Sequence, residues 1–181
     1  TFSNLALGSY TIGEEVQNSW LQTAPAGGTY SETITTSGTD LTGKNFGNFE
    51  KVSISGIKFN DMDGDGTKDV GDTGLNGWKI YLSGSATDSA TTDANGNYSF
   101  VGLEPGTYSL SEESQAGWLQ TTSNPSAITT SSGTDVSGQN FGNFEKVSIS
   151  GMKFNDMDGD GTKDAEDIGL SGWKIYLNGS A

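Results

Sequence analysis

The sequence contains no cysteine and no histidine, and 9 basic residues stand against 23 acidic ones, a formal net charge of −14. Without cysteine there is no disulfide framework, no thiol nucleophile and no zinc–thiolate site. Without histidine the commonest general base and the commonest transition-metal ligand are gone as well. The scarcity of basic residues argues against nucleic acid as a partner, because phosphate binding needs clustered Lys and Arg. No apolar run approaches membrane-spanning length, and the first residues lack a signal-peptide pattern, so the chain reads as processed or as an excerpt. Hard oxygen ligands are plentiful, and those suit calcium.

Aliphatic and aromatic residues make up only 31% of the 181 positions, with Gly at 27 positions. Ser, Thr, Asn and Asp fill the deficit, the composition of short strands and turns rather than of disorder. Four Trp, six Tyr and eight Phe supply the bulk for compact cores.

The chain repeats itself. The stretch from Phe46 to Gly56 recurs unchanged from Phe141 to Gly151, and Lys58 to Asp69 recurs from Lys153 to Asp164. Earlier, Trp20-Leu21-Gln22-Thr23 matches Trp118-Leu119-Gln120-Thr121, and Glu14-Glu15 matches Glu112-Glu113, the first copy carrying three extra loop residues around Ala24 to Tyr30. Residues 51–145 therefore form one complete module. Residues 1–50 read as the C-terminal half of a preceding copy, and 146–181 as the N-terminal half of a following one. Only a stretch matching Thr87 to Tyr98 is missing between the two ends. Repetition at this length points to modules in series, whose natural use is reach.

Within the complete module the period is two. Trp78, Ile80 and Leu82 alternate with Lys79 and Tyr81, Tyr98 and Phe100 with Asn97 and Ser99, and Tyr108 and Leu110 with Thr107 and Ser109. Turns at Asn76-Gly77, Ala94-Asn95-Gly96 and Glu104-Pro105-Gly106 separate these runs, which predicts an all-β sandwich.

Asp61, Asp63, Asp65, Thr67, Asp69 and Asp72 occupy positions 1, 3, 5, 7, 9 and 12 of a twelve-residue calcium loop, with Gly66 at position 6 for the sharp turn. Asp156, Asp158, Asp160, Thr162, Asp164 and Asp167 keep the same spacing in the second copy. Position 12 is Asp instead of the longer Glu, with Glu166 beside it in the second copy. The flanks read as strands, so this is a calcium loop on a β-scaffold and not an EF-hand. The plainer alternative is a solvated acidic turn; strict spacing and duplication favour the cation.

These motifs together resemble the SdrD B-like domain, which belongs with the B-type repeats of the collagen-binding adhesin Cna. Ile57-Lys58-Phe59, the Asp-rich loop, Gly74-Leu75-Asn76-Gly77-Trp78, the run from Thr92 to Phe100 and Leu103 to Tyr108 carry the resemblance. It implies tandem Greek-key, prealbumin-like sandwiches, calcium-dependent rigidity, and use as a stalk or spacer on a cell surface. Some Cna B-type modules also carry a Lys–Asn isopeptide bond promoted by a Glu. The matching positions are Lys58, Glu112 and Asn143. Strand parity puts Lys58 on the face of Val52 and Ile54, Glu112 with Tyr108 and Leu110, and Asn143 with Phe141. Burial would favour a neutral lysine nucleophile and a protonated glutamic acid polarising the carboxamide. Against this, Ile57 and Phe59 make the opposite face of the same strand apolar too. Three polar residues hydrogen-bonded or solvated at strand ends remain the alternative.

Lys153 in the tail and Glu14 and Asn48 in the head repeat that trio, which raises head-to-tail joining of neighbouring chains beside a longer continuous array. Asp72-Thr73-Gly74 matches the aspartic-protease triplet, but its repeat is Asp167-Ile168-Gly169, and the many Ser and Thr have no partnered base. An enzyme is not expected. Asn97-Tyr98-Ser99 and Asn178-Gly179-Ser180 fit the glycosylation pattern. Asp93 and Asn95 read equally as a second cation site or a plain turn. Two function classes stay open: a calcium-stiffened extracellular stalk, fibre or filament repeat, and an adhesive module whose loops recognise a host or matrix ligand. Near-identity of the copies favours the first.

Overall fold

Alternation of small polar and large apolar residues makes two-sided strands whose apolar side must be covered, and the chain meets that demand unevenly along its length. The computed structural model describes residues 1–179, and every helix or strand among them is a strand. It falls into two units, Thr1–Lys146 and Val147 onward.

In the head, β1 (Gly8–Gly13), β2 (Trp20–Ala24), β3 (Thr29–Ile34) and β4 (Gly47–Glu50) form two separate antiparallel pairs, β1 with β3 and β2 with β4. Tyr30 packs edge-on against Phe46 at 5.5 Å, and the rest of the head's apolar side is half-buried at best.

The complete module runs through β5 (Val52–Asn60), β6 (Thr73–Gly74), β7 (Lys79–Gly84), β8 (Asp88–Thr91), β9 (Asn97–Leu103), β10 (Thr107–Glu112), β11 (Trp118–Gln120), β12 (Ile128–Thr129) and β13 (Phe141–Glu145). One sheet has the order β12-β10-β7-β8. The other has β11-β13-β5-β6, with β9 also on β5. All pairings are antiparallel except β13 with β5, which is parallel and sets Phe141 beside Lys58, Gly142 beside Phe59 and Asn143 beside Asn60. The first and last strands of the module are thus neighbours.

Between the sheets lie Val52, Ile54, Trp78, Ile80, Leu82, Tyr98, Phe100, Leu103, Tyr108, Leu110 and Phe141. The expected alternation holds: Trp78, Ile80 and Leu82 are buried, and Lys79 and Tyr81 are exposed. Full burial of an aliphatic or Phe side chain contributes about 1.5–3 kcal/mol, so this cluster is the main source of stability. The outer edge of β5 is held differently. Val136 forms a single bridge to Ile54, Asp135 accepts the Ser53 N–H at 2.7 Å, and Asn140 Oδ1 accepts that of Ile57 at 3.0 Å. Gly56 lets this segment pass, since a Cβ there would collide with the Gln139 carbonyl.

In the tail, β14 (Phe154–Asn155) pairs with β15 (Ile168–Gly169) in the register that joins β5 to β6. Beyond it the sequence from Trp173 to Leu177 repeats that from Trp78 to Leu82 without a change, yet it forms no strand and lies exposed. Alternation marks a strand, but a strand edge needs a partner to become one. In the glycosylation patterns, Asn97 is exposed and bonds Asp93 at 3.1 Å, while Ser180 lies outside the described residues.

Candidate functional site: a carboxylate loop beside a buried lysine

The Asp-rich loop begins where β5 ends. Asp61 is wholly buried, and its two carboxylate oxygens accept the N–H groups of Gly64 at 2.9 Å and Gly66 at 2.8 Å. Both glycines have positive φ, 76° and 81°, a conformation that a side chain at either position would strain. Asp63 Oδ1 accepts from the Asp65 N–H at 3.4 Å, and Asp65 Oδ1 from the Thr67 N–H at 2.7 Å. Each carboxylate therefore fixes the backbone that carries the next.

Asp61, Asp63 and Asp65 bring carboxylate oxygens within 4.8 Å of one another. Desolvation pushes the Asp61 carboxyl up, but hydrogen bonding from Thr121, Gly66, Gly64 and Asp63 outweighs it and leaves the group below its ordinary value. At Asp63 the hydrogen bond from Asp65 pulls the carboxyl down. Desolvation and the neighbouring Asp65 and Asp61 together push it above its ordinary value. Three converging carboxylates with uncompensated charge and only oxygen donors fit a hard divalent cation.

Asp69 and Asp72 do not join this cluster. Asp72 instead closes the loop at its base, accepting the Met62 N–H at 3.1 Å and the Asp69 N–H at 2.9 Å, while Lys68 Nζ donates to the Asp72 carbonyl at 2.7 Å. The carboxylate of the Asp72-Thr73-Gly74 triplet is thus tied into the loop's backbone.

The tail repeats this construction. Asp156 accepts from Gly159 and Gly161, both at 2.8 Å, and converges with Asp158 and Asp160. Asp160 accepts from Thr162 at 2.7 Å, and Asp167 takes the N–H groups of Met157 at 3.0 Å and Asp164 at 3.1 Å. Those last two bonds hold the Asp167 carboxyl below its ordinary value. Asp93 is occupied by Asn97 and Asn95 as a turn.

The second constellation lies inside the sandwich. Lys58 is 0% exposed and Asn143 2%, and the Glu112 side chain is equally enclosed. Lys58 Nζ donates to Asn143 Oδ1, Asn143 Nδ2 donates to Glu112 Oε1 at 2.7 Å, and Glu112 Oε2 stands 3.0 Å from Lys58 Nζ without the alignment of a hydrogen bond. The three close a triangle. Desolvation lowers the Lys58 amine to about 8, against the opposing pull of Glu112. Strand parity had placed all three inward.

Sequence reasoning missed the fourth member. The Trp78 ring lies 4.5 Å from Lys58 Nζ, is itself braced by Trp118 at 5.4 Å, and donates its indole N–H to the Glu113 carbonyl at 2.8 Å. The signal was available: Trp78 begins the inward series with Ile80 and Leu82, one residue before β7, opposite the strand that carries Lys58. In the half-modules the matching groups are not enclosed, Glu14 being half-buried. Lys153 is exposed with Trp173 at 5.1 Å, and Asn48 is exposed on β4.

A family model described as the SdrD B-like domain matches residues 52–153. The chain is 27% identical over 201 residues to serine-aspartate repeat-containing protein F of Staphylococcus epidermidis, covering 97% of this chain and 12% of that protein. It is 29% identical over 147 residues to serine-aspartate repeat-containing protein C of Staphylococcus aureus, covering 72% of this chain and 15% of that protein. The chain thus spans 12–15% of the length of these curated relatives. Among solved structures it is similar to the major pilin subunit of Bacillus cereus, with a TM-score of 0.42 and 21% identity over 59% of this chain and 32% of that one. The minor pilin of Streptococcus agalactiae gives a TM-score of 0.42 and 16% identity over 82% of this chain and 65% of that one.

Proposed function

Because the chain belongs to the SdrD B-like domain family, we propose that it is a structural repeat of an extracellular surface protein, held by calcium and by an internal crosslink, serving as stalk, fibre or filament unit. One observation carries this reading. A complete sandwich stands between two flanking copies of its own halves, and it encloses Lys58, Glu112 and Asn143 in mutual contact. Neighbouring copies of the repeat are its natural partners.

The chemistry follows from the triangle. Lys58 Nζ passes a proton to Glu112 Oε2 and becomes a neutral amine, which its lowered pKa favours. The amine attacks Asn143 Cγ. Glu112, now protonated and in contact with Nδ2, gives its proton to the departing nitrogen, and its carboxylate then takes the second proton from Nζ. The Cγ–Nδ2 bond breaks, the Nζ–Cγ bond forms, and one ammonia leaves. Burial excludes the water that would compete for the same carbon.

Asp61, Asp63 and Asp65 would hold the cation, with Asp156, Asp158 and Asp160 doing so in the next copy. When bound, calcium neutralises the charge that the three carboxylates otherwise direct at one another. Around it, Asp61 and Asp72 (or Asp156 and Asp167) fold the loop by taking up its N–H groups.

Intact mass under denaturing conditions tests the crosslink. A monomer lighter by one ammonia is expected, with Lys58→Ala restoring the full mass. An unmodified wild-type mass would leave packing and calcium as the only staples. A melting temperature unchanged by chelation would remove calcium from the account.

A further inference from the structure

The loop and the triangle are not independent. Asp61 N–H donates to the Asn143 carbonyl at 2.9 Å, extending the parallel ladder of β5 and β13 by one bond. The loop then folds back over the strands that hold Asn143. Gly66 lies so close to the Thr121 carbonyl that a Cβ would stand 3.3 Å from it, and Gly64 faces the Phe144 ring. Thr121 in turn donates its N–H to the Gly142 carbonyl at 2.9 Å. Lys58 sits on β5 just before Asp61, with no flexible residue between them. The acceptor carbon and the nucleophile are thus positioned from the same place.

We propose that the Asp61–Asp72 loop is a clamp whose closure, on taking up a divalent cation, seats β13 so that Asn143 meets Lys58. Cation binding then gates crosslink formation, with Asp61 as the positioning residue. The inference rests on the reading that the crosslink forms. Open, the loop carries carboxylates that repel at short range, the more strongly because Asp61 is buried. Closed, it presses Gly66 and Gly64 onto Thr121 and Phe144. Bond formation is sensitive to such seating, since a misplacement of ~1 Å costs about a hundredfold in rate.

The test is cell-free synthesis of the full chain in calcium or in EGTA with magnesium retained. Samples are denatured at intervals and weighed intact. We expect one ammonia to be lost about tenfold faster in calcium, or more. The double variant Asp63→Asn, Asp65→Asn neutralises two exposed carboxylates that do not touch Asn143, so it should crosslink at a similar rate with and without calcium. Equal wild-type rates in both media would overturn the clamp and leave the crosslink standing. A double variant that still needs calcium would overturn charge repulsion as the gate. Ammonia lost in neither medium, as for the Lys58→Ala control, would remove the crosslink and the clamp together.

Discussion

Lys58 and Lys153 are followed by the same residues in sequence, and Trp78 and Trp173 stand between the same Gly and Lys, yet one pair lies inside a sandwich and the other in solvent. The loop from Asp61 to Asp72 and its copy from Asp156 to Asp167, by contrast, fold almost bond for bond alike. The difference separates two scales of information. Carboxylate-to-backbone bonds two to ten residues apart build the loop locally, and the tail has all of them. A buried amine needs β7, β10 and β13 around it, and the tail's described residues include no counterpart of the last two. Local chemistry survives the loss of half a module, and long-range chemistry does not.

Substitutions can break this comparison, and the proposed crosslink would be the largest lever. Asn143→Ala should abolish ammonia loss and lower stability by about 5 kcal/mol, because a link closing a loop of this length removes that much denatured-state entropy. Asn48→Ala, at the matching head position, should leave the sandwich's melting temperature in place. Trp78→Ala should cost about 4 kcal/mol by opening a cavity over Lys58, whereas Trp173→Ala should stay within ~0.5 kcal/mol in urea titrations. Asp61→Ala orphans the N–H groups of Gly64 and Gly66 and should cost about 2 kcal/mol, with Asp156→Ala leaving the sandwich unaffected by the same measurement.

A further effect is one of pH. In the unlinked Asn143→Ala chain, Lys58 keeps its amine, held near 8 against an ordinary 10.5. Between those values the unfolded chain binds more protons than the folded one, so stability should rise with pH across that window and be flat below it. Denaturant midpoints that fall across the window would contradict the burial of a lysine there.

Much of this was legible in the sequence because alternation is a strong signal. The inward positions of β7, β9 and β10 follow from it, and so does the inward aim of Lys58, Glu112 and Asn143. What obscured Lys58 was the apolar residue beside it: Phe59 is buried on the other face by the Asp-rich loop, whose Lys68 reaches to 5.9 Å of its ring. That cover comes from a loop that looks purely hydrophilic. The spacing also fits Asp72 equally well to a ligand and to the clasp it forms with Met62 and Asp69, since both uses need a carboxylate at the loop's end. The side-chain contacts of Asp135 and Asn140 with β5 span 82 and 83 residues and leave no periodic trace.

The parallel pairing of β5 with β13 would have a mechanical meaning for a module strung between others. Tension applied at its two ends would enter at the start of β5 and leave at the end of β13, loading the two adjacent strands in shear and straining several ladder bonds together instead of unzipping them one at a time. A covalent tie from Lys58 to Asn143 would carry that load directly from one strand to the other. The chain between them, which holds most of the core, would then bear almost none of it and would add no length under pull.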